Sequence, residues 1–555
     1  MLYLLKGCDF MAIKTYILSS MAKVFLDEEP KNYIRINKIS AFRNEKIAFQ
    51  FAFASEESLC DLVLEISENL NAYRVLSVPS VKPVGDDTDE YYLRTTPGLY
   101  PDILRPYNSE DFRAPANTWI SFYIEGENLD AGIHDIKITL KNIEKEEQIL
   151  CSEKVTLDII DADLPEQSLI HTNWFHSDSL ATYYKTPVFS DEFWKITENF
   201  IKTAAEHSIN FILTPLFTPP LDTKIGTERL TVQLVGVKKN ENGYEFKFDN
   251  LKKWIDICKK NGVKYFEMSH LFTQWGALHA PKIMAEVNGE IKRIFGWETD
   301  STGKEYTEFL TALASPLTEF LEKEGIADAC YFHVSDEPGE NDLEVYGKLS
   351  TLIHKLFGEK FKVIDALSEI EFYEKGYVTR PIPSEAKIED FVGKVPELWT
   401  YYCCGPTDNF YSNRFLSMPL QRTRIIGMQM YKYGVCGFLH WGYNFYFTQL
   451  SVRPVDPFAE TDADCAFSSG DAFVVYPAPD GTAWASIRLK AMNEAVQDMR
   501  ALQLLESLAG KDKVMEILED NYGERFKLTF TDYPRSEKWH FEKREEINNA
   551  IRKLI

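Results

Sequence analysis

The chain has 555 residues, of which 45% are hydrophobic and 14% aromatic, and a formal net charge of −24. That length holds several domains of ordinary size, and that apolar share can fill large cores. The charge sets the chain against nucleic acid and anionic membrane surfaces, whose phosphates it would repel. Nine cysteines, an odd number with no paired C-x-x-C spacing, speak against a disulfide framework or a zinc finger. No run reaches the ~18 apolar residues of a membrane span. Residues 1–20 lack the ordered parts of a secretion signal, since Leu2 to Leu5 is too short an apolar run, and Met11 and Met21 leave the start open. The expectation is a cytoplasmic protein without membrane insertion.

Residues 14–163 read as strands. Alternating apolar and polar positions recur over 46–54, 59–66, 118–125, 132–140 and 150–159, with turn residues between them. That spacing predicts an N-terminal β-sandwich. From Ser168 the rhythm becomes strand then helix. Strands are predicted at 169–175, 210–216, 263–269, 329–334, 361–367, 398–404, 435–441 and 472–476. Helices are predicted at 193–207, 250–261, 306–323, 343–357 and 486–505. Eight such units predict a (β/α)8 TIM-like barrel over residues 168–508. An inserted hairpin is expected at 224–247 and a long active-site loop at 279–303. A charged, mostly helical tail follows over 511–555.

Barrel enzymes carry their chemistry at the C-terminal ends of the strands. The predicted ends hold Asn173, Trp174 and His176, then Thr214, then His270 with Trp275 beyond it. They continue with His333, Asp336 and Glu337, then Asp365, Tyr401, His440, Trp441, Tyr443, Asn444 and Asp471. Each has a plain reading: a packed histidine, a rim tryptophan, a turn aspartate. Ser335 or Asp336 reads equally as a helix N-cap before Pro338. So many polar ends converging on one face point to a substrate site. A metal site from His176, His270, His333 and Asp336 lacks the His-x-His or His-Glu-x-x-His spacing that would support it.

Asp336 and Glu337 are adjacent, and Pro338-Gly339 turns the chain directly after them. Neighbouring acids cannot easily flank a glycosidic bond ~5 Å apart as nucleophile and acid. They suit a substrate-assisted route. There the sugar's own 2-acetamido oxygen attacks the anomeric carbon, one acid orients that group, and the other protonates the leaving oxygen. Alternatives stay open. One is a glycosidase pairing Glu337 with a distant carboxylate, Glu267, Asp365 or Asp471. Another is a carbohydrate-binding protein without turnover.

The motifs at 333–338, 399–406, 437–442 and 470–477, with 486–498 and the sandwich segments 23–28 and 100–104, resemble glycoside hydrolase family 123. The resemblance implies a retaining exo-β-N-acetylgalactosaminidase that needs no cofactor and no metal. Its partner would be a glycan ending in β-linked GalNAc, with β-GlcNAc the alternative sugar. Carried onto this sequence, Asp336 orients the acetamido group and Glu337 is the general acid/base. By position and chemistry, Tyr401 is the candidate donor to the acetamido oxygen and Trp441 the candidate floor for the sugar ring. Asn173, Trp174, His176, His270, Trp275, His333, Tyr443, Asn444 and Asp471 complete the expected substrate-binding set. Tyr100 and Asp102 either reach the cleft from the sandwich or, the favoured reading, tie the sandwich to the barrel. Oligomeric state is not legible.

Overall fold

The computed structural model describes residues 13–144, 148–358 and 360–555. The readings of Leu2 to Leu5 and of Met11 lie outside these residues. Two five-stranded sheets open the fold. One runs in the order Ile13–Ser19, Ile47–Ser55, Ile120–Gly126, Asn71–Ser80, Gly98–Pro106. The other runs Lys38–Phe42, Gln148–Ile160, Gly132–Asn142, Leu59–Ile66, Phe112–Ala114. Phe49, Phe51, Phe53 and Phe122 of the first meet Leu62, Leu64, Ile138 and Leu140 of the second in one core. Alternate positions of each strand supply that core, which is why the period-2 pattern gives a sandwich.

Eight parallel strands follow: β1 (Ile170–Asn173), β2 (Phe211–Thr214), β3 (Tyr265–Met268), β4 (Cys330–Phe332), β5 (Lys362–Ala366), β6 (Arg380–Ile382), β7 (Trp399–Tyr401) and β8 (Gly437–His440). Each pairs with its sequence neighbour, and β1 pairs with β8. The ring closes between β6 and β7, where the Tyr401 N–H donates to the Pro383 carbonyl at 3.0 Å. Phe211, Leu213, Tyr331, Ile364, Trp399 and Leu439 fill the interior, while Ile212, Phe332, Val363 and Phe438 face the helices. Gly437 is required inside this ring, because a Cβ there would lie 2.1 Å from the Trp399 indole.

Two expectations are corrected. Residues 472–476 are not a barrel strand; Val475–Pro477 pairs antiparallel with Ala483–Ala485 outside the ring. The missing strand is β6, three residues long and interrupted by Pro381. The expected hairpin at 224–247 forms only over its second half, Gly236–Asn240 with Gly243–Lys247. The 279–303 loop contains a hairpin of its own, Ile283–Val287 with Glu290–Phe295. The tail is helical at Lys511–Leu518 and Glu537–Arg552. No helix among the described residues is long and apolar enough to cross a membrane.

The Ile487–Ala509 helix is buried on nearly all sides although it carries many polar residues. Arg488 grips Asp102 of the sandwich at 2.8 and 2.7 Å, and the Tyr476 hydroxyl donates to the same carboxylate at 2.5 Å. Lys490 pairs with Glu125 at 2.8 Å, and Asp498 accepts from Arg424 at 2.7 Å and from Arg544 of the tail at 2.9 Å. Asp102 therefore joins the two parts of the chain. Tyr100 is buried and donates to the Thr96 carbonyl within its own segment.

Candidate active site

Alternation along β1, β3 and β4 turns Thr172, Glu267 and Tyr331 into the barrel, and Trp174 and His333 follow at the same period just beyond. Glu267 is fully buried there. It accepts from the Thr172 hydroxyl, the Trp174 indole N–H and His333 Nε2, each at 2.7 Å. His333 Nδ1 meets Asp365 at 3.0 Å. Asp365 also accepts from the Val334 N–H at 3.0 Å and from the Tyr346 hydroxyl. Both imidazole nitrogens thus face carboxylate acceptors, which requires both to be protonated. Burial opposes the charge, but the hydrogen bonds to Asp365 and Glu267 overcome it and carry His333 up to about 9.

Above this imidazolium stands the acid pair. Asp336 is buried, and no described residue hydrogen-bonds its carboxyl, which lines the cleft. Burial, and then the Glu337 charge, raise it well above the usual carboxylate range, with His333 pulling the other way. Glu337 is exposed to the cleft and accepts from the Tyr401 hydroxyl at 2.7 Å. Its backbone is in the left-handed region at φ 44°, pinned by its N–H on the Ala366 carbonyl at 3.0 Å. Trp275, at φ 54°, donates its N–H to the Asp336 carbonyl at 3.1 Å. Such strain in non-glycine residues persists where the surroundings over-determine it. The N-cap reading fails, because the Ser335 hydroxyl donates to the Thr273 carbonyl and the next α-helix begins only at Leu343.

The opposite wall is aromatic and rigid. Trp441 lines the cleft, packed edge-on by Phe445 and Phe467 at 5.0 and 5.4 Å. Its indole N–H donates to Asp471 at 3.0 Å, and the other Asp471 oxygen meets His440 Nε2 at 3.2 Å. Gly442 lets this happen: a Cβ there would lie 2.5 Å from the Ala472 carbonyl, so only glycine allows the 471–472 backbone to close on it. Burial raises the Asp471 carboxyl to about 7. His176 also lines the cleft. It meets the Trp441 carbonyl through Nε2 at 2.9 Å and accepts from Arg229 at Nδ1 at 3.1 Å. Burial and the Arg229 charge lower it to about 3, so it is neutral. The cleft between the walls encloses about 780 Å³ with its mouth.

Of the expected residues, Asp336, Glu337, Trp174, His176, Trp275, Tyr401 and Trp441 line this cleft. Asp471 supports it from behind Trp441. Four others are corrected away from the cleft lining. Asn173 is buried and accepts from Arg414 at 2.5 Å. Asn444 clamps the His176 backbone, accepting from its N–H at 2.9 Å and donating to its carbonyl at 3.1 Å. Tyr443 points into the helical layer and donates to the Phe200 carbonyl at 2.9 Å. His270 is buried, stacked on His333 at 4.0 Å between ring centres. His333 itself lies beneath the acid pair. Sequence reading missed Asp222 and Gln449, which also line the cleft, as does Gln274 beside Trp275. The metal set with His176 and Asp336 does not assemble among the described residues. His270, His333 and Asp365 do present ligand atoms within 4.8 Å, but His333 already commits both nitrogens as donors, and a cation would have to displace those protons.

An acid pair at the mouth of an eight-stranded barrel, in an aromatic-walled cleft, is a carbohydrate-cleaving class of site. Residues 174–505 match the model Glycoside hydrolase 123, catalytic domain. The chain belongs to glycoside hydrolase family 123 and is a glycoside hydrolase. Its fold is similar to that of a family 123 glycoside hydrolase from Clostridium perfringens, studied for glycolipid glycan hydrolysis, at 15% identity and a TM-score of 0.74, covering 98% of each chain. A β-glucuronidase from Parabacteroides merdae gives 10% identity and a TM-score of 0.29, over 89% of this chain and 51% of that one. A family 5 mannosidase from Rhizomucor miehei gives 12% identity and a TM-score of 0.32, over 60% of this chain and 92% of that one. Among curated proteins, no sequence matches this chain.

Proposed function

We propose that the protein is a retaining exo-β-N-acetylgalactosaminidase working through its substrate's acetamido group. The observation that carries this is the contrast within the acid pair: Asp336 buried and unbonded, Glu337 open to solvent and held by Tyr401. A substrate amide N–H docking on Asp336 would favour its carboxylate, and Glu337 acts as the acid. The acetamido oxygen then bonds to C1 as the C1–O bond breaks, and Glu337 gives its proton to the leaving oxygen. The oxazolinium cation is stabilised by Asp336. Water next attacks C1, losing a proton to Glu337, and the acetamido oxygen departs. In this reading Tyr401, which hydrogen-bonds Glu337 in the free protein, turns to the acetamido oxygen. The distant carboxylates first considered are poor nucleophiles here. Glu267 and Asp365 are committed to His333, and Asp471 is committed to His440 and Trp441. A glycolipid glycan ending in GalNAc is a natural substrate to try, since the Clostridium perfringens enzyme hydrolyses glycolipid glycans.

The test is release of 4-nitrophenol from the β-GalNAc, β-GlcNAc and β-galactoside compounds, beside Glu337→Gln. The expected result is turnover of the GalNAc compound, a loss of at least about 10²-fold in the variant, and strong inhibition by the GalNAc-thiazoline mimic of the oxazoline. Turnover of the plain galactoside would exclude the mechanism, because that sugar has no acetamido group. Binding of sugar without any turnover would favour the carbohydrate-binding alternative.

A further inference from the structure

Asp222 has no part in the acid–base scheme, yet its placement is tightly determined. It follows β2 on a loop and adopts φ 40°, in the left-handed region. Three contacts hold it there. Its N–H donates to Gln274 Oε1, its carbonyl accepts from the Ser451 hydroxyl at 2.6 Å, and its Oδ1 accepts from the Leu450 N–H at 3.1 Å. Leu450 and Ser451 are themselves left-handed, at φ 57° and 52°. Two strained loops, one after β2 and one after β8, therefore clasp each other at the edge of the cleft. The second carboxylate oxygen, Oδ2, is buried and has no hydrogen-bond partner among the described residues. Buried polar atoms are almost always paired, so this cleft-lining carboxylate keeps acceptor capacity that the protein leaves unused. Burial raises this carboxyl to about 6; above that pH it offers acceptors only.

The topology says which part of a sugar would meet it. The Glu337–Tyr401 contact, with Glu337 pinned to Ala366, spans the β5–β7 side of the ring. The Asp222–Leu450 clasp spans the β8–β2 side, across the mouth. In a pyranose, C4 lies diagonally across the ring from C1, and C6 branches beside it. A sugar whose C1 sits at the acid pair thus turns its O4–O6 edge toward Asp222.

We propose that Asp222 is a specificity-determining residue whose carboxylate, turned toward the cleft that it lines, accepts hydrogen bonds from the O4 and O6 hydroxyls of the terminal sugar, and that the clasp closes this end of the cleft. The claim rests on the exo-acting reading of the same site. It adds that the residue selects sugars with free hydroxyls on that edge and rejects chains extended at O4.

The test compares wild type, Asp222→Asn and Asp222→Ala with the aryl glycoside the wild type hydrolyses best and with its 4-deoxy and 6-deoxy forms. Calorimetric binding of N-acetylgalactosamine and its deoxy forms is read in parallel. Thermal melts and far-UV spectra confirm folding, and the near-isosteric Asn variant guards against loop collapse. The expected result is a loss of about 10–100-fold in kcat/KM for either variant on the parent sugar, and a similar loss for wild type on a deoxy sugar. Combining variant and deoxy sugar should cost little more than either alone. Fully additive losses would overturn the proposal while leaving the acetamido mechanism intact. Rescue of Asp222→Ala by azide, with a glycosyl azide product, would instead make Asp222 a nucleophile and overturn both. Wild type that binds none of these sugars would also overturn both, and that result appears before any variant is needed.

Discussion

Two buried histidines lie at the ends of β4 and β8, on opposite sides of the barrel, and each meets an aspartate. They end in opposite states. His333 has a carboxylate on each nitrogen and is raised to about 9. His440 accepts the Gly442 N–H on Nδ1 at 3.0 Å, so it keeps only Nε2 as a donor to Asp471. Burial, and the nearby Arg414 and Arg488 charges, hold it well below its ordinary value. The same pair of residue types thus yields a cation under Asp336 and Glu337 and a neutral brace behind Trp441. The partner of the second nitrogen decides which.

The largest effect should come from removing the cation. His333→Ala would leave Glu267 and Asp365 buried without their shared partner, and breaking such a group costs about 3–5 kcal/mol. Urea unfolding would measure it; a loss under about 1 kcal/mol would show that the carboxylates find other partners. Next comes its pH dependence. Because His333 is raised from 6.5 to about 9, its contribution is fully present below pH ~6.5 and lost as pH rises through ~9. That shift corresponds to at most about 3 kcal/mol. His333→Gln should flatten this slope, and an unchanged slope would mean that the imidazole is neutral. The smallest effect belongs to the brace. Asp471→Asn keeps one acceptor and faces two donors, costing about 1–2 kcal/mol. Burial opposes ionisation of Asp471 and raises it to about 7, so wild type loses stability relative to the variant as pH rises from ~4 through ~7. A gap that widened with pH would contradict that burial.

Much of this arrangement was legible in the sequence, and the failures have physical causes. Seven barrel strands announced themselves as apolar runs ending in polar residues, because both faces of a parallel barrel strand are buried. The strand β6 did not, since Pro381 and Pro383 read as loop and only its closing contacts make it a strand. The 472–476 run is as apolar as a strand but spends that apolarity against helices outside the ring. Asp336 and Glu337 were readable because their adjacency is itself chemical information. Asn173, Tyr443 and Asn444 were placed in the cleft because they end strands, whereas side-chain direction set them behind it. Asp222 was not legible, because the contacts that place it at the cleft are with Leu450 and Ser451, more than two hundred positions away.

The Ile487–Ala509 helix has one more consequence. The family match stops at residue 505, inside that helix. Its charges, however, are neutralised by Asp102 and Glu125 in the sandwich and by Arg544 in the last helix. The ionic contacts therefore cross the boundary of the matched catalytic domain in both directions. A change in the sandwich or the tail that removed one of these partners would leave a buried charge on that helix uncompensated.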